Sequence, residues 1–116
     1  MAVFKQKETI AEEISPTFKR RIIYLENLMV VVCDFSNGPA PQPDAPHSHP
    51  HEQITYVAEG ELNFFIGKEK YHLFKGDVFS VPGGVMHCIQ TISHHVRLID
   101  SFTPIRKDFL EKGENQ

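Results

Sequence analysis

Three histidines and one glutamine stand at spacings that suit a metal ion. His47-Ser-His49 places two imidazoles two residues apart, and Gln53 follows four residues on. His87 closes a second stretch, Gly76-Asp-Val-Phe-Ser-Val-Pro82-Gly-Gly84-Val-Met-His87. Imidazole nitrogens and an amide oxygen are neutral donors for a divalent transition ion, at donor–metal distances of about 2.0 to 2.2 Å. Residues two apart on an extended chain face one side. His47 and His49 therefore point together, and Gln53 keeps their parity if the chain stays extended past Pro50. Chance seldom yields an H-x-H pair and a downstream G-x5-P-x-G-x2-H in an all-strand chain, so His47, His49 and His87 are read as metal ligands. His72, His94 and His95 read instead as satisfied or solvated residues. His51, just after Pro50, reads as a rim or supporting residue rather than a ligand.

A second constellation lies near the C-terminus. Val96, Leu98, Asp100 and Phe102 share one strand face, so a carboxylate interrupts an apolar, inward-facing row. Burying that carboxylate alone is expensive, and Asp100 therefore needs a cation, a hydrogen-bond donor or a proton. A structural pair with Arg97 or Arg106 is the bland reading. Beside a metal site, a catalytic role is the sharper one. Arg106, just past Pro104, stands where it can reach back over the strands, and its planar fork suits a substrate carboxylate. Otherwise it is a solvated charge at a helix start. Phe102 reads equally well as plain core.

The elements that must hold these groups are strands. Phe18 to Glu26 and Leu28 to Phe35 alternate with period two around the turn-prone Asn27. Six more runs follow: Gln53 to Ala58, Glu61 to Ile66, Tyr71 to Phe74, Asp77 to Val81, His87 to Ile92 and Val96 to Phe102. Glu59-Gly60, Gly67-Lys68, Lys75-Gly76 and Pro82-Gly83-Gly84 separate these later strands. Between Ser36 and Pro46 stand four prolines, which cannot donate sheet hydrogen bonds, so this stretch is a loop. Many short strands with Gly/Pro turns predict an antiparallel sandwich or barrel. Helical periodicity is confined to short pieces at the two ends, the C-terminal one starting at Thr103 and stopped by Gly113.

Composition narrows the function classes. With 116 residues and 41% hydrophobic content, the chain suits one domain with one sizeable core. Its 12 basic and 15 acidic residues give a net charge of -3 and no basic stretch to follow a phosphate backbone, so nucleic acid is not an expected partner. The first ten residues hold no uninterrupted apolar segment, and no later run approaches the roughly 18 needed to span a bilayer. The expectation is a soluble cytoplasmic protein without a membrane partner. Cys33 and Cys88 have neither the number nor the spacing of a disulfide framework or thiolate zinc site, and read as buried reduced thiols.

These residues resemble the cupins. The first cupin motif, G-x5-H-x-H-x3-E-x6-G, is met by His47, His49, Gln53 and Gly60, with Pro41 at the first glycine and glutamine in place of glutamate. The second, G-x5-P-x-G-x2-H-x3-N, is met by Gly76, Pro82, Gly84 and His87, with Thr91 at the asparagine. The resemblance implies an all-β fold: a single-domain cupin (double-stranded β-helix or jelly-roll barrel) with a short C-terminal helical segment. Its core would span about 18–102 and its tail 103–116. It also implies one divalent transition metal (Ni, Fe, Mn or Zn) and a homodimer.

A narrower resemblance, over nearly the whole chain, is to the small pectin-degradation cupins of the KdgF type, which linearise unsaturated uronates. It rests on His47-Ser-His-Pro-His-Glu-Gln53-Ile-Thr-Tyr-Val-Ala-Glu-Gly60 and on Asp100-Ser-Phe102-Thr-Pro-Ile-Arg106-Lys-Asp-Phe-Leu110. That family holds its metal with three histidines and a glutamine, which implies His47, His49, Gln53 and His87 here. It acts on substrate through an aspartate, a phenylalanine and an arginine, which implies Asp100, Phe102 and Arg106. The expected activity is metal-dependent conversion of 4,5-unsaturated monouronates to linear keto acids. Neutral ligands leave the charge of the ion uncompensated, which favours an anionic sugar-acid substrate. Two other classes stay open: a metal-dependent oxygenase or lyase on another small acid, and a non-catalytic sugar-binding cupin.

Overall fold

A computed structural model describes residues 2–110. Its strands are β1 (Glu12–Ser15), β2 (Phe18–Tyr24), β3 (Met29–Phe35), β4 (Glu52–Glu59), β5 (Glu61–Ile66), β6 (Glu69–Phe74), β7 (Val78–Val81), β8 (His87–Thr91) and β9 (Val96–Thr103). A 3-10 turn at Gln6–Glu8 precedes them and the helical turn α1 (Lys107–Leu110) follows. The expected helix stop at Gly113 lies outside the described residues. The eight expected strands form, with ends shifted by a few residues. β1 is an addition, because Glu-Glu-Ile-Ser carries no apolar alternation. It pairs as an edge strand through cross-strand charges, Glu12 opposite Arg20 and Glu13 opposite Lys19.

The strands form two antiparallel sheets. Six lie in the order β1-β2-β3-β9-β4-β7 and three in the order β6-β5-β8. Alternation decides which face of each strand is buried. On β4, Gln53, Thr55 and Val57 turn inward while Ile54 and Tyr56 face out. On β3, Met29, Val31 and Cys33 turn inward. The inner faces meet in a core of Met29, Val31, Val57, Leu62, Val96 and Leu98. Phe64 of β5 stacks on Phe79 of β7 at 3.9 Å, joining the two sheets. Each such fully buried side chain contributes about 1.5 to 3 kcal/mol.

The proline-rich stretch is irregular, as expected, but it is pinned. Ala40 N–H donates to Thr91 O at 2.9 Å, Asp44 N–H to Ile89 O at 3.0 Å, and His47 N–H to His87 O at 3.0 Å. The chain thus runs along the free edge of β8, and its donors come from the residues between the prolines. The run ends in a bridge between His47 and His87, their backbones joined in both directions.

Two features of topology position the interior polar groups. β9 and β4 are neighbours, with Asp100 opposite Thr55 and Phe102 opposite Gln53. The Pro82-Gly83-Gly84 corner abuts the His49 segment: Gly84 N–H donates to His49 O at 2.8 Å, and Gly84 adopts φ +84°, where glycine is strain-free. Among the described residues no helix is long and apolar enough to cross a membrane.

Candidate metal centre and substrate cavity

His47, His49 and His87 converge from two separate segments, each offering a ring nitrogen, with the three nitrogens within 4.8 Å of one another. His47 arrives by the backbone bridge, His87 begins β8, and His49 stands just before the bend at Pro50 and His51 that leads into β4. His49 and His87 are buried, at 6% and 5% exposure, while His47 is exposed at the mouth. Three imidazoles so close suit a shared cation rather than three protons.

Their hydrogen bonds set which nitrogen faces the centre. His87 Nδ1 lies 2.9 Å from the Val85 carbonyl, which only accepts, so that nitrogen carries the proton and Nε2 presents a lone pair. His87 Nε2 is buried and has no hydrogen-bond partner among the described residues, as expected of an atom built to bind something absent from the protein itself. His49 repeats the arrangement, with Nδ1 3.0 Å from the His51 carbonyl. His49 Nε2 then faces Gln53 Oε1 at 3.1 Å, because the Gln53 amide nitrogen is turned away to donate to Thr55 Oγ1 at 2.9 Å. Burial, reinforced by the Arg106 guanidinium, holds His49 below the usual imidazole range and outweighs the opposing hydrogen bonds. Burial likewise lowers His87. Neutral His49 and the Gln53 carbonyl are two acceptors face to face, a clash that a cation between them relieves. The residues fit a divalent transition ion, with a soft-to-intermediate nitrogen set and one oxygen.

Beside the centre, Asp100 lies deep in the protein but faces the open cavity. Its Oδ1 accepts from Thr55 Oγ1 at 2.6 Å and more distantly from Gln53 Nε2 at 3.5 Å, and its Oδ2 accepts from Cys33 Sγ at 3.4 Å. Among the described residues no arginine pairs with it. Arg97 is bound to Asp34 at 2.7 Å and Arg106 to Asp108 at 2.8 Å, so the structural ion pair weighed for Asp100 does not form. Burial pushes the Asp100 carboxyl above its ordinary range, against the Thr55, Cys33 and Gln53 donors and the Arg106 charge. Burial also raises the Cys33 thiol, with the nearby Asp100 charge adding to it. Both cysteines are free and buried.

The cavity itself is about 390 Å³ and holds His47, His87, Gln53, Asp100, Phe102 and Arg106 in one wall system. Arg106 is not solvated. Its side chain is 14% exposed, and its guanidinium lies over the rings of Phe102 at 5.2 Å and Phe109 at 4.0 Å. Phe102 is both core and wall, 2% exposed and edge-on to His49 at 5.7 Å. The three remaining expected bystanders behave as such: His72 pairs with Glu61, His95 with Asp34, and His94 is exposed. His51 supports the centre through its backbone carbonyl.

Arg20, Asp44 and Phe109 of the cavity wall escaped the sequence reading, as did the role of the fully buried Thr55 that bonds Asp100. Thr55 was legible in part, since it shares the inward parity of Gln53. Arg20 shares the inward parity of Phe18 and Ile22, and a cation in that row was the signal. Asp44 lies in the pinned loop, where partial burial raises its carboxyl despite His47. No local pattern marks it, or Phe109.

Comparison with known proteins agrees with this geometry. Residues 38–102 match the Cupin domain family. The chain is 38% identical over 109 residues to the pectin degradation protein KdgF of Dickeya dadantii, covering 92% of this chain and 96% of that protein. The solved structure of KdgF from a Halomonas species superposes with a TM-score of 0.84 at 31% identity, covering 93% of this chain and 99% of that one. An RmlC-like cupin from Shewanella frigidimarina superposes with a TM-score of 0.82 at 33% identity, covering 91% and 93%.

Proposed function

The chain belongs to the cupin domain family, and from that premise we propose that it is a metal-dependent enzyme that opens and ketonises 4,5-unsaturated monouronates. The similarity to proteins named for pectin degradation sets the substrate class. The observation that carries the chemistry is Asp100: a deep carboxyl with no cation bonded to it, facing a cavity beside three convergent imidazoles.

The reaction is an isomerisation. The hemiacetal O–H proton leaves C1–O, the C1–ring-oxygen bond breaks, and the ring oxygen remains on C5 as an enol. Protonation at C4 with loss of the enol proton then leaves a C5 ketone, so no electron donor or acceptor is needed. His47, His49, Gln53 and His87 would hold the ion, which when bound supplies Lewis acidity toward the carboxylate and adjacent oxygen of the substrate. Arg106 neutralises the carboxylate through its fork. Asp100 moves the proton, and burial, by raising its carboxyl above the ordinary carboxylate range, makes it a readier proton carrier than an exposed aspartate. Phe102 supplies an apolar wall to the sugar face.

In this reading the chain is a single cupin domain, core about 18–102 with tail 103–116, acting in the cytoplasm as a homodimer on a small acid. Neither nucleic acid nor membrane is a partner. The homodimer is supported by an apolar outer face on the larger sheet, where Ile54, Tyr56 and Val78 are 57%, 44% and 58% exposed. The bound ion is one of Ni, Fe, Mn or Zn, and cellular availability decides among them.

The test is incubation of metal-loaded protein with unsaturated monouronate, following the open-chain ketone by NMR. Turnover abolished by chelator and by Asp100→Ala, with binding retained in the variant, is the expected result. A chelator-insensitive rate defeats the metal role. Oxygen consumption in step with turnover favours the oxygenase instead, and binding without turnover by the unaltered protein marks a sugar-binding cupin.

A further inference from the structure

Arg20 has no part in the ring-opening chemistry, yet its guanidinium lies in the wall of the same cavity. It faces inward from β2, opposite Cys33 of β3, and its side chain is only 11% exposed. Nε donates to Glu12 Oε1 at 2.8 Å, and the guanidinium carbon lies 4.3 Å from the centre of the Phe109 ring. The same ring carries Arg106 at 4.0 Å. Two cations against one aromatic ring, in a largely apolar cavity, is an arrangement that favours a ligand rich in acceptor oxygens.

The two arginines serve different parts of the space. Arg106 belongs to the metal side: its guanidinium carbon lies 5.2 Å from the centre of the Phe102 ring, which stands edge-on to His49 at 5.7 Å. Arg20 reaches the same Phe109 ring from β2, so the two guanidinium carbons are at most about 8 Å apart, a span that a six-carbon sugar acid can bridge. A six-carbon sugar acid held by its carboxylate near Arg106 and the imidazoles would extend its hydroxyl-bearing carbons toward Arg20.

We propose that Arg20 contacts the hydroxyl end of the sugar acid and thereby determines which uronates the site accepts. The proposal rests on the uronate reading of the site. A guanidinium is a donor-only planar fork, so two neighbouring hydroxyl oxygens can accept from it together, and inverting one of them breaks that match. A site built to hydrogen-bond a hydroxyl discriminates strongly against a substrate that cannot present it.

The experiment uses metal-loaded protein and two unsaturated monouronates that differ only in the configuration of one ring hydroxyl. For Arg20→Met the expected result is a KM raised about 10- to 100-fold on the preferred substrate, kcat changed less than about threefold, and selectivity between the two falling toward unity. Arg20→Lys falls between, and Glu12→Gln, which breaks the ion pair but keeps the guanidinium, leaves KM near that of the unaltered protein. If Arg20→Met does not fold, Arg20→Lys and Arg20→Gln give the same readout.

A folded Arg20 variant with unaltered KM and selectivity overturns the proposal while leaving the enzyme reading intact. So does an equal rise in KM in Glu12→Gln, which would make the pairing with β1, and not the guanidinium, what matters. If the unaltered protein turns over neither substrate, the enzyme reading fails. Calorimetric binding of galacturonate then decides: tenfold weaker binding in Arg20→Met supports the contact, and equal binding or none at all overturns it.

Discussion

Thr55→Val removes one oxygen from the centre of the site and nothing else. Valine has nearly the shape of threonine, and Thr55 is fully buried, so no cavity opens and no new surface is exposed. What is lost is a bridge. The hydroxyl donates to Asp100 Oδ1 at 2.6 Å and accepts from Gln53 Nε2 at 2.9 Å, so one substitution strips a partner from both groups. A buried polar group left without its partner costs about 1 to 3 kcal/mol. Asp100 faces the cavity and recovers part of its loss from water, and Gln53 keeps a long contact to Asp100, which together place the cost near the lower end, about 2 to 3 kcal/mol in all. An unfolding entropy of ~2.1 cal/mol/K per residue gives ~0.24 kcal/mol/K for 116 residues, so Tm should fall by about 8 to 12 °C. The assay is calorimetric unfolding of chelator-treated protein, which keeps metal occupancy from confounding the comparison. Thr55→Ser restores the bridge and loses one methyl group, at about 1 kcal/mol. A Thr55→Val protein within 3 °C of the unaltered one, or a Thr55→Ser protein as low as Thr55→Val, would refute the bridging hydroxyl.

Other perturbations probe the same architecture. Saturating the centre with Zn or Ni at a hundredfold excess over Kd should stabilise the chain by about 2.7 kcal/mol in thermal unfolding, and His87→Ala should abolish that gain. Gln53→Glu adds a negative ligand: calorimetry should show tighter metal binding, while kinetics should show a higher KM for the anionic substrate as the site loses net charge. Gly83→Ala sets a Cβ 2.5 Å from the Pro50 carbonyl, and overpacking there should cost about 1 to 3 kcal/mol in denaturant unfolding and weaken metal binding through His49. Asp34 gives the pH test. Partial burial opposes its ionisation, but hydrogen bonds from Arg97 and His95 outweigh this and hold its carboxyl below the ordinary value. Its stabilising contribution is therefore present above the unfolded carboxylate pKa and lost as pH falls through the lower folded value. Asp34→Asn should be less stable than the unaltered protein at pH 7, and the difference should shrink as the pH is lowered through the acid range, measured by urea unfolding.

Much of this protein follows from local order along the chain. Period-two alternation marks eight strands and their inward faces, because an extended backbone turns successive side chains to opposite sides whatever it packs against. Ligand spacing marks His47, His49 and His87, since donor chemistry and strand parity are both written in neighbouring residues. β1 escaped because its pairing depends on charges carried by β2, and no pattern within four residues reports a partner elsewhere. The proline stretch read correctly as loop, but its seating along β8 comes from carbonyls 40 to 51 residues away.

The same limit governs the site. Alternation turned Asp100 inward, but only the pairing of β9 with β4 set it opposite Thr55. Only the pairing of Arg97 with Asp34 and Arg106 with Asp108 left it without a cation. Likewise the Arg20 guanidinium joined Phe109 and Arg106 because β2 and the C-terminal turn close on one cavity. Sequence alone therefore determined which residue types face inward and which donors are present. Tertiary structure decided which of them meet, because contact between distant strands depends on register and sheet order, and neither is a property of any single segment.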